Sequence, residues 1–574
     1  MPAALSYFFK QASVSRRVFL VPRVERTDRS RDRPDGDVER MARRTRHRNT
    51  ALALAAACVL TSGGGAIAQK QGGTLRSYVW DNPPSASIHE EATVSTVFPF
   101  MPVFNNVVLF DQAQPTGTLD TIVPDLAKNW VWDATRTKVT FQLEQGVRWH
   151  DGKPFTAVDV KCTFDLISGL AKSDDFRKNP RKVWYFNVAE ITTGGDFEVT
   201  FHLKAPQPSF LALLASGYSP VYPCHVPQRE MRSRPIGTGA FKVAEFKRNE
   251  SVTLVRNPDY WKKGKPHLDR IEYRAIDSRS TRVLAFIAGE FDLTFPNDVT
   301  YPLLRDIRAR RPEAVCNFLP GNNTTNMIVN PTAPPFDNPR LRLAMALALD
   351  RSAFNTILAE GQAIIGAVML PPPVGRWGLP PDQLSSLPGY GSVDMDQAEA
   401  RRIMQSLGYS KERPLKVKVS TRNVARYRDP AVIFIDQMKN IFIEGELEVI
   451  DTSIWFTRVQ RKDYAIGLNG TGVAVDDPDV NLIENYSCRS DRNYTGYCNE
   501  AVDALIFAQS REIDPEKRKQ LVWAAERKIV EDVARPIILH EKTAMCWAPF
   551  VKGFTRHDNS LYNSWRLEDA WLDR

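Results

Sequence analysis

The chain has 574 residues, 43% hydrophobic and 25% charged, a globular composition long enough for several domains. Its formal charge of +9 suggests a nucleic-acid binder, but residues 1–68 alone hold 13 Lys/Arg against 6 Asp/Glu. Of the 76 basic and 67 acidic residues, that leaves 63 and 61 for the rest, about +2, so no basic body is available to grip a nucleic acid.

The N-terminal segment reads as a leader. From Met41 the sequence runs MARRTRHRNTALALAAACVLTSGGGAIAQ: Arg43, Arg44, Arg46 and Arg48, then the apolar run Ala51–Leu60, then Ala66-Ile67-Ala68 as a small-x-small cleavage site. An apolar run of about ten residues is too short to span a bilayer. Residues 41–68 are therefore expected to be a signal peptide cleaved before Gln69, with 1–40 an upstream extension and Met41 the working start. SRRVFL at Ser15–Leu20 matches a twin-arginine motif but lacks the apolar run such a motif needs directly after it. Cys58 follows Ala55-Ala56-Ala57 without the usual Leu, so a lipid anchor there is the lesser alternative.

Behind the leader, short β-rich runs alternate with amphipathic helices, the pattern of an α/β protein. In KVTFQL (Lys138–Leu143), Val139, Phe141 and Leu143 share one face of a strand. RWHDGKPFTAVDV (Arg148–Val160) sets His150 beside Asp151, but a reacting pair needs a nucleophile and the segment supplies none. Asp151-Gly152 is instead a turn signal, and Thr156 with Asp159 forms a capping box for a helix with Val160, Phe164 and Ile167 on one face. Strands follow at Phe197–Leu203 and Ser251–Arg256. GTGAFK at Gly237–Lys242 lacks the spacing and terminal Lys-Ser/Thr of a phosphate loop. A helix is expected over Pro339–Asp350, with Asn338 as N-cap and Pro339 at its first position. A second, Gln397–Gly408, stops at a glycine suited to the left-handed conformation. A strand at Glu446–Asp451 and a helix at Pro515–Asp532 behind Asp514 complete the pass, with proline-rich loops at Pro331–Pro335 and Pro371–Pro373.

Six cysteines follow the cleavage site: Cys162, Cys224, Cys316, Cys488, Cys498 and Cys546. An even number in an exported chain favours disulfides, although six allow fifteen connectivities. Cys488 and Cys498 flank a short polar loop that costs little entropy to close, which makes them a candidate pair; buried free thiols are the alternative. No CxxC, no zinc spacing, no H-E-x-x-H and no G-x-S-x-G elbow occurs, and the eight histidines are scattered, so neither metal nor cofactor is expected.

Several stretches, in this order, resemble the extracellular solute-binding proteins of peptide, dipeptide and nickel ABC transporters. They are TKVTFQLEQGVRWHDGKPFTAVDV (Thr137–Val160), PIGTGAFKVAEFKRNESVTLVRNPDYWKKGKPHLDRIEYRAI (Pro235–Ile276) and FDNPRLRLAMALALDR (Phe336–Arg351). Later come DDPD (Asp476–Asp479), YTGYCNEAVDALI (Tyr494–Ile506) and DPEKRKQL (Asp514–Leu521), so the resemblance covers roughly 70–574. It implies a two-lobed α/β fold of the periplasmic-binding-protein type II class. Lobe I would comprise 69–113, 227–315 and 545–574, with 114–226 as an inserted subdomain, and lobe II 316–544. The chain would cross between lobes near Ala314–Pro320 and Thr543–Pro549, which would pair Cys316 with Cys546 at the hinge and leave Cys162 with Cys224. Functionally it implies a monomeric periplasmic receptor that closes on a small-molecule or peptide ligand and delivers it to an inner-membrane ABC permease, without chemistry.

The resemblance also places ligand contacts on Ser87–Ser95 and Leu468–Asp479, hence the candidates Glu91, Thr93, Asn469, Thr471, Asp476 and Asp477. Trp80, Asn323 and Trp455 are added as neighbouring aromatic and polar groups, and Arg422, with Arg426 and Arg428 beside it, as a partner for a carboxylate or phosphate. Many peptide binders carry an acidic residue just before DPD that pairs with the ligand's ammonium. Here that position is Val473 or Ala474, a departure that argues against ordinary dipeptide binding, with Asp476 as the substitute. The bland alternatives are loop capping for Asp476 and Asp477, core packing for the tryptophans and surface roles for the arginines. Competing functions are a periplasmic hydrolase, which would need a nucleophile, base and oxyanion site, and a ligand sensor of the same fold.

Overall fold

The computed structural model describes residues 69–574; the segment 41–68 expected to be a signal peptide, and Cys58 within it, lie outside the described residues. The described chain opens with β1 (Thr74–Val79) and a small antiparallel pair, β2 (Val108–Phe110) with β3 (Ile122–Pro124). Next comes an antiparallel sheet of β4 (Ala127–Trp132), β5 (Lys138–Leu143), β6 (Val188–Thr193) and β7 (Glu198–Leu203), in the order β4-β5-β7-β6. β5 alternates as its sequence predicts, burying Val139, Phe141 and Leu143. The chain then returns through β8 (Phe241–Lys247), β9 (Ser251–Arg256) and β10 (Arg270–Ala275) to complete a sheet ordered β1-β10-β9-β8, in which β1 runs parallel to β10. The β4–β7 sheet is thus inserted between the first strand of this sheet and the rest.

A second large sheet follows: β11 (Val315–Val329), β12 (Leu415–Arg422), β13 (Ile443–Ile450), β14 (Ile466–Gly472) and β15 (Ile537–Trp547), ordered β13-β12-β14-β11-β15. A short pair, β16 (Val551–Lys552) with β17 (Trp571–Leu572), ends the chain. The first sheet shares a core with the inserted sheet, and the second large sheet has another. Leu75, Phe141, Ile271 and Tyr273 belong to the first, and Met327, Val419, Ile466 and Phe434 to the second. β11 and β15 link the two lobes. They pair antiparallel from Val315↔Trp547 through Cys316↔Cys546 to Asn326↔Ile537, while bridges Leu293↔Trp547 and Val299↔Ala544 tie β15 back to the first lobe.

Disulfides join Cys316 to Cys546 across these linking strands, Cys162 to Cys224, and Cys488 to Cys498. The Thr156/Asp159 capping box forms and opens the helix Ala157–Ser168. Two helices differ from expectation. The first ends at Leu347, because Asp350 accepts from the Ala353 N–H and caps a separate helix, Arg351–Ala359. The second begins a turn early, at Val393, behind Ser392. His150 and Asp151 do not form a pair. The His150 ring bonds to Gly239 O (3.0 Å), and burial brings its pKa down to about 4. Asp151 takes His225 instead, at 2.8 Å. Among the described residues no helix is long and apolar enough to cross a membrane.

Near the C-terminus, Glu568 is buried against Lys262 (3.0 Å), Lys265 (3.3 Å) and the Tyr260 hydroxyl. Burial alone would raise its pKa, but the two ammonium groups outweigh that and hold it at about 2. A depressed folded-state pKa stabilises above the ordinary carboxyl range, and the contribution is lost as pH falls toward 2. Glu568→Gln is therefore expected to cost about 3 kcal/mol at pH 7 and distinctly less at pH 3. Urea unfolding of both proteins at the two pH values checks this.

Candidate functional site

The lobes meet through buried charge. Asp81 sits just past the end of β1, and its carboxylate accepts from Arg422 Nη2 (2.6 Å) and Thr452 Oγ1 (2.6 Å) of the second lobe, while the Ser95 hydroxyl donates to its other oxygen. Arg422 is the last residue of β12 and also reaches the Tyr427 hydroxyl at 3.1 Å. Trp80 packs on Phe295 with ring centroids 4.6 Å apart and donates its indole N–H to Ser95 Oγ (3.1 Å). Such a pair is costly to bury and stays favourable only while both partners and their hydrogen bonds are present.

A second cluster centres on Glu484, in the helix Pro478–Tyr486, every residue of which is buried. Trp184 of the inserted segment donates to its carboxylate at 2.8 Å, Arg492 pairs with it, and Arg181 Nε lies 3.7 Å away. Arg181 Nη1 and Arg492 Nη1 also donate to the carbonyls of Glu91 (3.1 Å) and Ala92 (3.5 Å). The Arg181 guanidinium stacks 3.3 Å above the Tyr218 ring, which lies 5.1 Å from that of Tyr562.

β14 supplies a backbone stretch with little side-chain cover. A Cβ on Gly470 would come within 2.7 Å of the Tyr427 ring, and one on Gly472 would run into the Tyr562 hydroxyl and lie 2.7 Å from Asn323 Oδ1. Glycine is needed here because other groups approach the main chain closely. Asn323, opposite Gly472 on β11, has both amide atoms buried without a partner. Thr471 accepts from Asn326 Nδ2 (2.9 Å). Ala474 O accepts from Ser560 (2.9 Å) and Asn563 (2.8 Å) of the C-terminal segment, so the loop after β14 is itself a contact between lobes. On the linking-strand side, a cavity of about 210 Å³ is lined by Arg279, Asn297, Thr325, Arg426 and Glu541, among others.

The family model for bacterial extracellular solute-binding proteins, family 5 (middle region), matches residues 121–493. The chain belongs to this family. It is 25% identical over 485 residues to a dipeptide-binding protein of Pseudomonas aeruginosa PAO1, covering 79% of this chain and 86% of that one. It is 23% identical over 458 residues to the oligopeptide-binding protein AppA of Bacillus subtilis, covering 75% and 80%. In fold it is similar to the periplasmic binding protein DppA of Helicobacter pylori solved with the peptide STSA (TM-score 0.76, 21% identity, covering 88% of this chain and 99% of that one). It is equally similar to AgaA of A. tumefaciens R10 solved with agropinic acid (TM-score 0.75, 21% identity, 88% and 99%). These neighbours are two-lobed binding proteins, and the fold is of that type II class.

Within this family-5 fold, Trp80 follows β1, Arg422 ends β12, Asn323 lies within β11, Asn469 and Thr471 lie on β14, and Asp476 lies just beyond β14. Asp476 accepts from Asn322 (3.0 Å), and burial pushes its carboxyl up. Glu91 and Thr93 enter differently from expectation. The Glu91 carboxylate accepts from Ser85 (2.7 Å), with its pKa raised by burial, and Thr93 caps the helix Val94–Phe100, so this stretch offers main-chain carbonyls rather than side chains. Trp455 is fully buried in an apolar cluster with Ile328, Tyr464 and Tyr494, its indole N–H unpartnered. Asp477 serves structure: it caps the helix Pro478–Tyr486 and binds both terminal nitrogens of Arg518 (2.6 and 2.8 Å).

Sequence reasoning missed Asp81, Arg181, Glu484, Arg492 and Arg535. Two signals were available: PDVNLIENY carries two acids and two asparagines on a helix with no exposed face, and Arg492 lies within the loop closed by Cys488 and Cys498. Because Asp477 serves structure, Asp477→Ala is expected to cost about 3 kcal/mol of stability by stranding buried Arg518. Solute affinity should stay within a factor of about two, since no cleft contact changes. Chemical denaturation and a binding titration on the same preparation separate the two effects.

Proposed function

We propose that this chain is the exported receptor of an ABC importer, capturing a peptide or peptide-like solute between its lobes and presenting the closed form to an inner-membrane permease. The observation that carries this is the composition of the lobe interface. Asp81–Arg422 and Arg181–Glu484 place charged groups of opposite lobes in one buried layer, alongside polar atoms such as Asn323 that lack protein partners. Main-chain groups around Gly470–Ala474 and Glu91–Ala92 flank that layer, in keeping with recognition of an extended backbone. The dipeptide- and oligopeptide-binding relatives support the same ligand class.

Mechanism follows from differential contact. A solute touching both lobes only when they are closed shifts the open–closed equilibrium by the difference in its affinity for the two states. Moving that equilibrium from 1:99 to 99:1 takes about 5.5 kcal/mol, within reach of a few charge-assisted hydrogen bonds. No bond is made or broken in the solute. Three disulfides suit an oxidising compartment, and we place the monomeric receptor in the periplasm after cleavage before Gln69. The lobes divide the chain as 69–113, 227–315 and 545–574 against 316–544, with 114–226 inserted in the first.

Native mass spectrometry of protein isolated from the exported fraction, followed by denaturation, tests the reading. One peptide-like solute per chain is expected, and re-adding it at about 100 times its dissociation constant should stabilise the stripped protein by about 2.7 kcal/mol. Turnover of the bound solute by purified protein would replace this reading with an enzymatic one.

A further inference from the structure

Building on the receptor reading, we propose that the solute is an anion, held by an oxyanion group between Arg181, Arg492 and Arg535 and the hydroxyls of Tyr218 and Tyr494, with no requirement for a free ammonium. The three arginines are 3%, 5% and 3% exposed. They are linked in space: Arg181 and Arg492 flank the Glu484 carboxylate, while Arg492 and Arg535 each lie 5.7 Å from the Tyr494 ring. Glu484 is the one carboxylate they share. Arg535 reaches only neutral amide oxygens, Asn326 Oδ1 and Asn485 Oδ1, each at 2.9 Å.

Unmet donors point the same way. The hydroxyls of Tyr218 and Tyr494 and the Nε of Arg181 are buried with no hydrogen-bond partner. Each leaves a desolvation cost that a ligand acceptor would remove. The local potential is positive enough to act on a neighbour: Lys462 is depressed to about 8, first by burial and then by Arg535. The acids nearby are already engaged, Asp81 by Arg422 at 2.6 Å and Glu541 by Arg426 at 2.7 Å. Val473 and Ala474 carry no charge. The arginine cluster therefore has cationic donors to spare, with Glu484 as its one carboxylate, while Asp476 beyond β14 is held by the neutral amides of Asn322 and Asn559. A carboxylate can take two parallel N–H bonds from a guanidinium, the strongest pairing available to this set.

The test uses the full chain purified from the exported fraction, stripped of solute by denaturation and refolded with its disulfides intact. Three probe sets are titrated calorimetrically: N-acetylated di- and tripeptides with a free C-terminal carboxylate, the same peptides as C-terminal amides, and free-amine peptide amides. Acids are expected to bind with the acetyl group in place, and both amide sets at least about 100-fold more weakly. Arg535→Gln should weaken acid binding by a similar factor without lowering the melting temperature of the empty protein, because it removes a buried charge that lacks a counter-ion. Amides binding as well as acids, or binding that requires the free amine, would overturn the anion assignment and leave the receptor reading standing. Binding by none of the three sets would overturn the anion assignment, and if unmodified peptides with both termini free also failed to bind, it would count against the receptor reading itself.

Discussion

Closing two lobes over a polar cleft takes charged side chains out of water, at an effective cost of several kcal/mol per ion unless each finds a partner in the closed state. That cost organises this molecule. Asp81 is poised at the end of β1 so that Arg422, at the end of β12, meets it across the interface. Glu484 is delivered by a wholly buried helix so that the inserted segment and the disulfide-closed loop can both reach it. Where the compensation is incomplete, around Arg535 and the unpartnered hydroxyls, a solute has something to contribute.

The rest of the architecture delivers these groups to one layer. Strand ends do most of the placing: Trp80 and Asp81 follow β1, Arg422 closes β12, and Gly470 and Gly472 close β14. The linking strands β11 and β15 pair antiparallel where the chain crosses between the lobes, and the Cys316–Cys546 bond lies within that ladder at a directly paired position. Local bending of either strand is thereby shared by both, which favours motion of the lobes as bodies over fraying of one connection. The inserted β4–β7 sheet sits beside the cleft and lends it Arg181 and Trp184, both from the segment between β5 and β6.

Much of the fold was legible in the sequence because its signals are local. Alternation gave β5 and β9 to the residue, and cap chemistry gave Thr156–Asp159 and Asp514–Pro515. β13 runs three residues further upstream than its alternation shows, because parallel pairing with β12 from Leu415↔Ile443 extends it. The site was legible only in part. Arg422, Asn469 and Thr471 fall on recognisable stretches, whereas Arg181, Glu484 and Arg535 are single residues whose meaning arises from burial beside one another. Asp477 shows the reverse: the DDPD motif marks it, yet its charge is spent on Arg518 and on a helix terminus.

The central claim is that solute contacts supply the energy that holds the lobes together, and small-angle X-ray scattering tests it most directly. Protein stripped of its solute should scatter as a more extended particle. Re-adding the released solute should reduce the radius of gyration to that of the arrangement described above, in which Asp81 meets Arg422 across the lobes. Identical scattering curves with and without saturating solute would contradict the account.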